Sequence, residues 1–546
     1  MVKEYPKKIL AKTKMVLSRI WKSKSQKTEK TDTDWRSIYI ASFVALIGSI
    51  QGYSIVPTMW PYIKFLNPNV GEIANGIFQG TSALGSAITS IFAGYLVNRM
   101  SNTKPPLVIA KALMIAATFV YLAVELDKKA ALYFLIAYQL IMGISTGFGN
   151  VYRTHIAMAT QESERSRGYG LGMLSGSLGT MIGPLFQMLF ALIPYPGLKL
   201  LFGLHFNLFT AAVYFALLTS TIGLLALIFF FNGKLKVLSK EERVKKQLEI
   251  ATVLPSVPSS PENPLPPSAI GELKVEEVEE IKYDKIAVFV LIFTKISQDI
   301  NVLILMSISM PYAMTVFEWD SHELILYQSL FMAPMGLCSL IFSFCYIRFN
   351  FDKKIPVRIA LLLGLSLFMF FFIATFPWPF ISSTIPYAHP KNETAYFNQS
   401  EAAAALLQFN ETGELVGCNI AYKWCETTPR INLAIFSTSV ILVLGIGIPF
   451  FAINLDIIYS TVLGPIKQGV LQGFFLSSGE IINIFGPIIV TLVYTASGPR
   501  WIWLFTIIVS AIAITLFCIF YRRLIPFSKR VEKKLLKRGI QTTSFP

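Results

Sequence analysis

The sequence has few charged residues for its length, and long stretches of it have none. Only 15% of the 546 residues are Asp, Glu, Lys or Arg, whereas 53% are hydrophobic and the mean hydropathy is +0.56. Soluble domains carry a larger charged fraction than this. The composition therefore argues against a soluble multidomain protein and favours one embedded in a lipid bilayer.

Histidines and cysteines are also scarce. The four histidines are scattered, and no Gly-rich loop precedes a Lys-Ser or Lys-Thr pair, so neither a soluble enzyme nor an ATP-driven pump is indicated. Five cysteines are too few for a disulfide scaffold. We expect no enzymatic activity, no metal site and no cofactor.

What the sequence has instead is a series of apolar stretches, each long enough to cross a membrane. A spanning helix needs about 20 mostly apolar residues. Twelve such spans are predicted at residues 37–63, 73–98, 106–125, 130–160, 168–194, 206–231, 285–314, 323–347, 356–377, 431–460, 467–496 and 500–524. The predicted fold class is therefore an all-α membrane protein with twelve spanning helices.

Basic residues gather on one side of this arrangement. An even number of spans puts both termini on the same side, together with the loops that carry Arg99, Lys104, Arg165, Arg167 and Arg348. The positive-inside rule makes that side cytosolic. The net charge of +16 is then a topology signal and not a nucleic acid-binding surface. The expected partners are membrane lipids and a small anion or other small solute.

The domain order follows from the spans. We predict a cytosolic basic N-terminal segment (1–36), a six-helix bundle (37–231), a cytosolic linker (232–284), a second six-helix bundle (285–524) and a cytosolic basic tail (525–546). The linker is rich in proline and ends in acidic residues, which is typical of a flexible connection; a regulatory or partner-binding role is the alternative. Residues 6–25 form either an amphipathic helix on the membrane surface or a disordered basic tail.

The two halves repeat one another at a constant offset of 303 residues. Gly170, Ser175, Gly176, Gly183 and Pro184 in the fifth span recur as Gly473, Ser478, Gly479, Gly486 and Pro487 in the eleventh. This repeat indicates two pseudo-symmetric six-helix bundles, as in the major facilitator fold. Small residues also let membrane helices approach closely, so we expect a helix-packing motif made of Gly176, Gly183, Pro184, Gly479, Gly486 and Pro487.

A long loop, residues 378–430, lies on the side opposite the termini. It holds all three Asn-x-Ser/Thr sequences of the chain, at Asn392, Asn398 and Asn410, which we expect to be glycosylated in a luminal space. Cys418 and Cys425 share this loop and could close a small disulfide there; a metal site with these two ligands is the weaker alternative.

Ionisable residues inside spans cost several kcal/mol unless they are paired or wetted, so each one needs a reason. Lys295 and Asp299 are one turn apart in the seventh span and can pair with each other. Glu480, in the middle of the eleventh span, either exchanges protons with a cavity or is a protonated carboxyl group bonded to a neighbouring helix. Lys111 and Glu125, near opposite ends of the third span, are predicted to be interfacial.

Arg153 and Asp456 are again 303 residues apart, in the fourth and tenth spans. Duplicated geometry would place them symmetrically about the axis between the halves. Arg153 either extends to the cytosolic headgroups, attracts an anion at the mouth of a cavity, or pairs with Asp456 in a gate. We take Arg153, Asp299, Lys295, Asp456 and Glu480 as the candidate transport path.

Several motifs resemble one family within the major facilitator superfamily. They are Trp35-Arg36-Ser37-Ile38, Trp60-Pro61-Tyr62, Gly143-Ile144, Gly183-Pro184 with Phe186-Gln187, Gly417-Cys418 with Trp424-Cys425, Leu463-Gly464-Pro465 and Gly498-Pro499-Arg500-Trp501. Nearly end to end, the chain resembles the major facilitator superfamily domain-containing protein 8 group, the ceroid-lipofuscinosis neuronal protein 7 group of lysosomal membrane proteins. The resemblance implies a lysosomal or endosomal membrane and a transport role, with chloride as the suggested ion. One departure is Asn98, where the wider superfamily has an aspartate that gates the cytosolic side.

Three functions therefore remain open. The chain moves an anion such as chloride with the help of Arg153, or transports a solute coupled to protons through Glu480 or Asp299, or serves as a non-transporting receptor or scaffold. Polar residues that could face a cavity, Gln139, Asn150, Gln187 and Gln298, fit many ligands and do not identify the solute.

Overall fold

Twelve helices form the body of the protein. The computed structural model describes residues 33–67, 73–200, 203–235, 282–319, 321–381, 383–390, 395–396, 398–408 and 415–537. Within these residues, twelve helices are long and apolar enough to cross a membrane, which confirms the predicted fold class. They are α1 (Trp35–Leu66), α2 (Ile73–Met100), α3 (Lys104–Leu122), α4 (Ala131–Gly149 and Val151–Ala159), α5 (Arg165–Phe190), α6 (Ala211–Phe229), α7 (Lys285–Phe317), α8 (Ser321–Arg348), α9 (Val357–Ala374), α10 (Leu433–Leu442, Val443–Gly447 and Ile448–Leu463), α11 (Gly469–Ser497) and α12 (Pro499–Ile519).

The two largest differences between predicted and observed span boundaries have physical reasons. The sixth helix begins at Ala211 instead of residue 206, because His205–Phe206 forms strand β2 and pairs with β1 (Leu198–Lys199). The twelfth helix ends at Ile519 instead of residue 524, before the cationic pair Arg522 and Arg523. Residues 6–25 and most of the linker, residues 236–281, lie outside the described part of the chain.

Helices α4 and α10, which carry Arg153 and Asp456, are both irregular. The two segments of α4 meet at Asn150, and α10 contains a π-helical turn at Val443–Gly447. Such turns are rare in helices and are common at functional sites. The irregularities occur in the corresponding helix of each half.

Successive helices run in opposite directions, so the structure has two distinct sides. The start of α1 contacts the end of α4, since Asp34 N–H donates to Ala159 O over 3.4 Å. A C-terminal helix (Phe527–Lys537) lies on this same side, where the Ser528 hydroxyl donates to Glu162 Oε1 at 3.0 Å. We call the side with the start of α1 and the C-terminal helix the terminal side, and the opposite side the loop side.

Glycines let the two halves approach each other closely where α2 crosses α11. A Cβ atom added at Gly94 would collide with the carbonyl of Gly469, and one added at Gly473 would collide with the carbonyl of Ser90. On the other flank α5 packs on α8, and the hydroxyls of Ser177 and Ser339 are 2.6 Å apart. Small residues at both crossings bring the backbones of the two halves together.

One of the buried apolar clusters joins the two halves near the terminal side. It combines Ile38, Ile156 and Tyr169 from α1, α4 and α5 with Tyr346 and Ile453 from α8 and α10. The other clusters lie within one half. The halves are therefore sealed by apolar contacts at the terminal side as well as by the glycine crossings.

The loop of residues 378–430 folds onto the ends of the C-terminal helices. Cys418 and Cys425 form a disulfide, and β3 (His389–Pro390) pairs with β4 (Leu415–Val416). A short helix (Gln399–Gln408) follows Asn398, which is exposed; Asn392 and Asn410 lie outside the described residues. The Trp424 indole donates to Thr495 O at 3.3 Å, so the loop is attached to the end of α11.

Candidate transport path

Arg153 and Asp456 join the two halves through an ion pair. Arg153 Nη1 donates to Asp456 Oδ2 at 3.2 Å, and Arg153 Nε donates to the Tyr152 hydroxyl, also at 3.2 Å. The two side chains are 29% and 12% exposed, so the pair faces a cavity and not the headgroups. Of the three alternatives drawn from the sequence, the geometry agrees with pairing and disagrees with extension to the headgroups.

A second ion pair lies deeper in the cavity. Lys295 Nζ donates to Asp299 Oδ2 at 2.6 Å along one face of α7, the spacing that the sequence suggested. A Cβ atom added at Gly479 of α11 would meet Asp299 Oδ2 and lie 3.0 Å from Lys295 Nζ. The glycine therefore makes room for this pair between α7 and α11.

Glu480 follows that glycine and lines the same cavity. Its Oε2 accepts a hydrogen bond of 3.5 Å from Asn483 Nδ2, one turn further along α11. Among the described residues, no cation lies within ion-pair distance of it, in contrast to Asp299 and Asp456. Of the carboxyl groups of Asp299, Asp456 and Glu480, only that of Glu480 has no cation within ion-pair distance in the described part of the chain.

The cavity between the halves has two lobes, each lined by residues of both halves. One, which we call the methionine lobe, has a volume of about 490 Å³ and is lined by residues of α1, α4, α5, α7, α8 and α10, with Met173, Met306, Met332 and Met335 in its wall. The other, the charged lobe, has a volume of about 570 Å³ and holds Lys295, Asp299, Glu480, Gln139 and Gln298. Arg153 and Asp456 line both lobes.

Two other polar residues that the sequence suggested, Asn150 and Gln187, line neither lobe of the cavity. Asn150 Nδ2 donates to the Ser90 hydroxyl at 3.3 Å. The methionines were not predicted, because a methionine in an apolar helix looks like any core residue until the helices are assembled. Their convergence from three helices is visible only in the fold.

The glycines of the repeated motif do not all have the same role. Gly183 packs α5 on α1, since an added Cβ would lie 2.5 Å from Tyr53 Cβ, and Gly486 packs α11 against Leu303 at 2.6 Å. Pro184 and Pro487 follow them inside α5 and α11. Gly176 differs from the expected packing role: a Cβ atom there would meet nothing within 4 Å, because this face of α5 borders the methionine lobe.

Contacts between the halves close the terminal side below the two lobes. Asn98 at the end of α2 accepts a hydrogen bond of 2.8 Å from Gly469 N–H through its side-chain oxygen, and its backbone carbonyl accepts from Lys467 Nζ at 3.0 Å. The amide at this position therefore bridges the halves without a negative charge. A helix N-terminus, that of α11, supplies one of the donors.

Lys111 and Glu125 are not interfacial, contrary to the prediction. Glu125 is buried on the loop side, where it accepts hydrogen bonds from the Tyr62 hydroxyl at 2.7 Å and from Asn207 at 3.3 Å, with His205 Nδ1 at 3.2 Å. Lys111 is also buried, between α1 and α6. The α5–α6 connection folds back over the bundle, and hydropathy alone does not reveal such a cover.

Comparisons with known proteins agree on the fold. A model of the Major Facilitator Superfamily matches residues 41–389. Major facilitator superfamily domain-containing protein 8 of Xenopus laevis is 28% identical over 513 residues, covering 91% of this chain and 93% of that protein, which confirms the resemblance found in the motifs.

Solved structures show the same architecture at low identity. The human organic anion transporter MFSD10 (TETRAN) is 14% identical, with a TM-score of 0.54 over 88% of this chain and 98% of that one. The proton:xylose symporter XylE, bound to 6-bromo-6-deoxy-D-glucose, is 13% identical, with a TM-score of 0.57 over 92% of this chain and 99% of that one. At these identities the likeness concerns the fold alone.

The ion pair between the halves predicts a specific energetic coupling. Asp456→Asn and Arg153→Gln should each lower the free energy of unfolding by about 1.5–3 kcal/mol, since each leaves a charged partner without its bond. The double variant should lose less than the sum, because it removes both charges. Thermal unfolding of the purified protein in detergent measures this; additive losses would contradict the coupling.

Proposed function

Because the chain belongs to the Major Facilitator Superfamily, we propose that it transports a small anion such as chloride across a lysosomal or endosomal membrane. The observation that supports this most directly is the position of Arg153, whose guanidinium borders both lobes of the cavity between the halves. A positive group at such a site attracts anions and lowers the energy of an anion within the membrane.

Arg153 retains donors for an anion even while it is paired. A guanidinium has five N–H groups in a planar fork. Among the described residues, one donates to Asp456 and one to Tyr152, and the other three have no partner. An anion that binds these donors shares the positive charge of Arg153 with Asp456, so its arrival weakens the electrostatic attraction between Arg153 and Asp456. In this way anion binding and opening of the terminal side are linked.

The orientation is also a proposal. The terminal side carries Arg99, Lys104, Arg165, Arg167 and Arg348, which favours a cytosolic location by the positive-inside rule. The loop side, with Asn398 and the Cys418–Cys425 disulfide, then faces the lumen. The resemblance to a lysosomal group supports an endolysosomal membrane. The six-helix bundles would be residues 37–231 and 285–524, with the linker, residues 232–284, in the cytosol.

A second candidate function, proton-coupled solute transport, is favoured by Glu480. Its carboxyl group lines the charged lobe without a cationic partner among the described residues. Such a group can take up a proton on one side and release it on the other as the halves rock. A non-transporting receptor or scaffold role is supported only by the long loop and the linker.

For anion transport, removal of the Arg153 charge should reduce anion flux. In liposomes that contain the purified full-length protein, Arg153→Ala should lower chloride flux by about 10-fold to 100-fold, the equivalent of one lost charged hydrogen bond. Arg167→Ala is the matched control, because Arg167 is an exposed arginine on the terminal side that stacks on Trp35 away from the cavity. Equal flux in wild type and Arg153→Ala would refute the anion role of Arg153.

For proton coupling, Glu480→Gln keeps the shape of the side chain and removes its titratable proton. An imposed pH gradient should drive solute uptake in the wild-type protein and should fail to do so in the variant, while exchange without a gradient persists. Uptake that follows the gradient equally in both proteins would exclude Glu480 as the coupling group. Absence of both chloride flux and pH-driven uptake in the wild type would leave the receptor or scaffold role.

A further inference from the structure

The methionine lobe is larger and more apolar than an inorganic anion requires. It has a volume of about 490 Å³ and is lined mainly by apolar side chains. Cavities of roughly 300–1,000 Å³ with mainly apolar walls are the ones that enclose organic ligands in proteins. A monatomic anion would leave most of this lobe without contacts.

The wall of the lobe is suited to apolar groups of variable shape. Met173 comes from α5, Met306 from α7, and Met332 and Met335 from α8. Methionine is unbranched and polarizable, so several of them can adapt to different apolar bodies. Hydroxyl groups in the same wall, those of Ser177 and Ser339, are bonded to each other at 2.6 Å.

Comparison of the two halves shows that no described side chain fills the methionine lobe next to Gly176. Gly176 and Gly479 occupy equivalent positions, 303 residues apart, in α5 and α11. Gly479 lies against the Lys295–Asp299 pair, which fills the space beside it, whereas a Cβ atom at Gly176 would meet nothing within 4 Å. Of these two equivalent glycines, Gly479 lies against an ion pair and Gly176 faces the open methionine lobe.

These features lead to a substrate class, which rests on the proposed anion transport. We propose that the methionine lobe binds the apolar body of an organic monocarboxylate whose carboxylate accepts hydrogen bonds from Arg153. The two oxygens of a carboxylate match the parallel N–H groups of a guanidinium. Arg153 lines both lobes, so a ligand bound to it can have its apolar part among the methionines and its charge beside the charged lobe.

A series of straight-chain carboxylates tests the proposal on the full-length protein. Binding of acetate, butyrate and hexanoate is measured by isothermal titration calorimetry, with hexanamide as the uncharged analogue. Affinity should rise with chain length, by up to about fourfold per added CH₂ group, the value for complete burial. Hexanamide should bind at least tenfold more weakly than hexanoate.

The sharpest test is a variant that fills the methionine lobe with a side chain. Gly176→Leu places a side chain in open space, so the fold should persist, and thermal unfolding without ligand checks this. It should weaken hexanoate binding at least tenfold and acetate binding by no more than twofold, because acetate has almost no apolar body to place in the lobe. Gly52→Leu is the matched control, since a Cβ atom added at Gly52 also meets nothing within 4 Å and Gly52 does not line the methionine lobe.

The outcomes separate this inference from the proposed function. If affinity is independent of chain length, or if Gly176→Leu binds hexanoate like wild type while chloride flux still depends on Arg153, anion transport stands and the organic substrate class is wrong. If chloride flux does not depend on Arg153 and no carboxylate binds, both are wrong. Chain-length dependence that is lost in Gly176→Leu and kept in Gly52→Leu supports the proposal.

Discussion

The ion pair between Arg153 and Asp456 connects the two halves in the wall of both lobes of the cavity. Its geometry, 3.2 Å from Nη1 to Oδ2, joins a side chain of α4 to a side chain of α10 across the space between the halves. Charges at membrane depth are costly unless they are paired, so each partner stabilises the arrangement that keeps them together. This contact adds to the other contacts between the halves at the terminal side, and it places two charged groups in the wall of both lobes.

The surfaces around the pair suit a protein whose halves move against each other. Where α2 crosses α11, Gly94 and Gly473 let the two backbones touch without intervening side chains. Asn98 of α2 accepts a hydrogen bond from the backbone at the start of α11. The contacts on this side include short-range polar bonds, one apolar cluster and the Arg153–Asp456 ion pair. Breaking that pair therefore removes a charged contact between the halves on this side.

The sequence predicted the spans, their alternation and the charged residues of the cavity, because hydropathy and rare intramembrane charges are local signals. The offset of 303 residues also pointed to Arg153 and Asp456 as symmetric partners, which the geometry brings into contact. Gly176 and the methionines were beyond sequence reasoning. Whether a glycine meets a neighbouring helix or a cavity depends on how helices from both halves assemble, and the cover over Glu125 depends on a loop that folds back.

The most direct test is a distance measurement across the terminal side. Spin labels on Ser163→Cys, between α4 and α5, and on Pro465→Cys, between α10 and α11, report whether the two halves are joined there, in a background where the free cysteines Cys338, Cys345 and Cys518 are serine. Wild-type protein should give one short distance, and Asp456→Asn should add a longer one, because the bond between the halves is gone. A distance distribution unchanged by Asp456→Asn would contradict the role of the pair in holding this side closed.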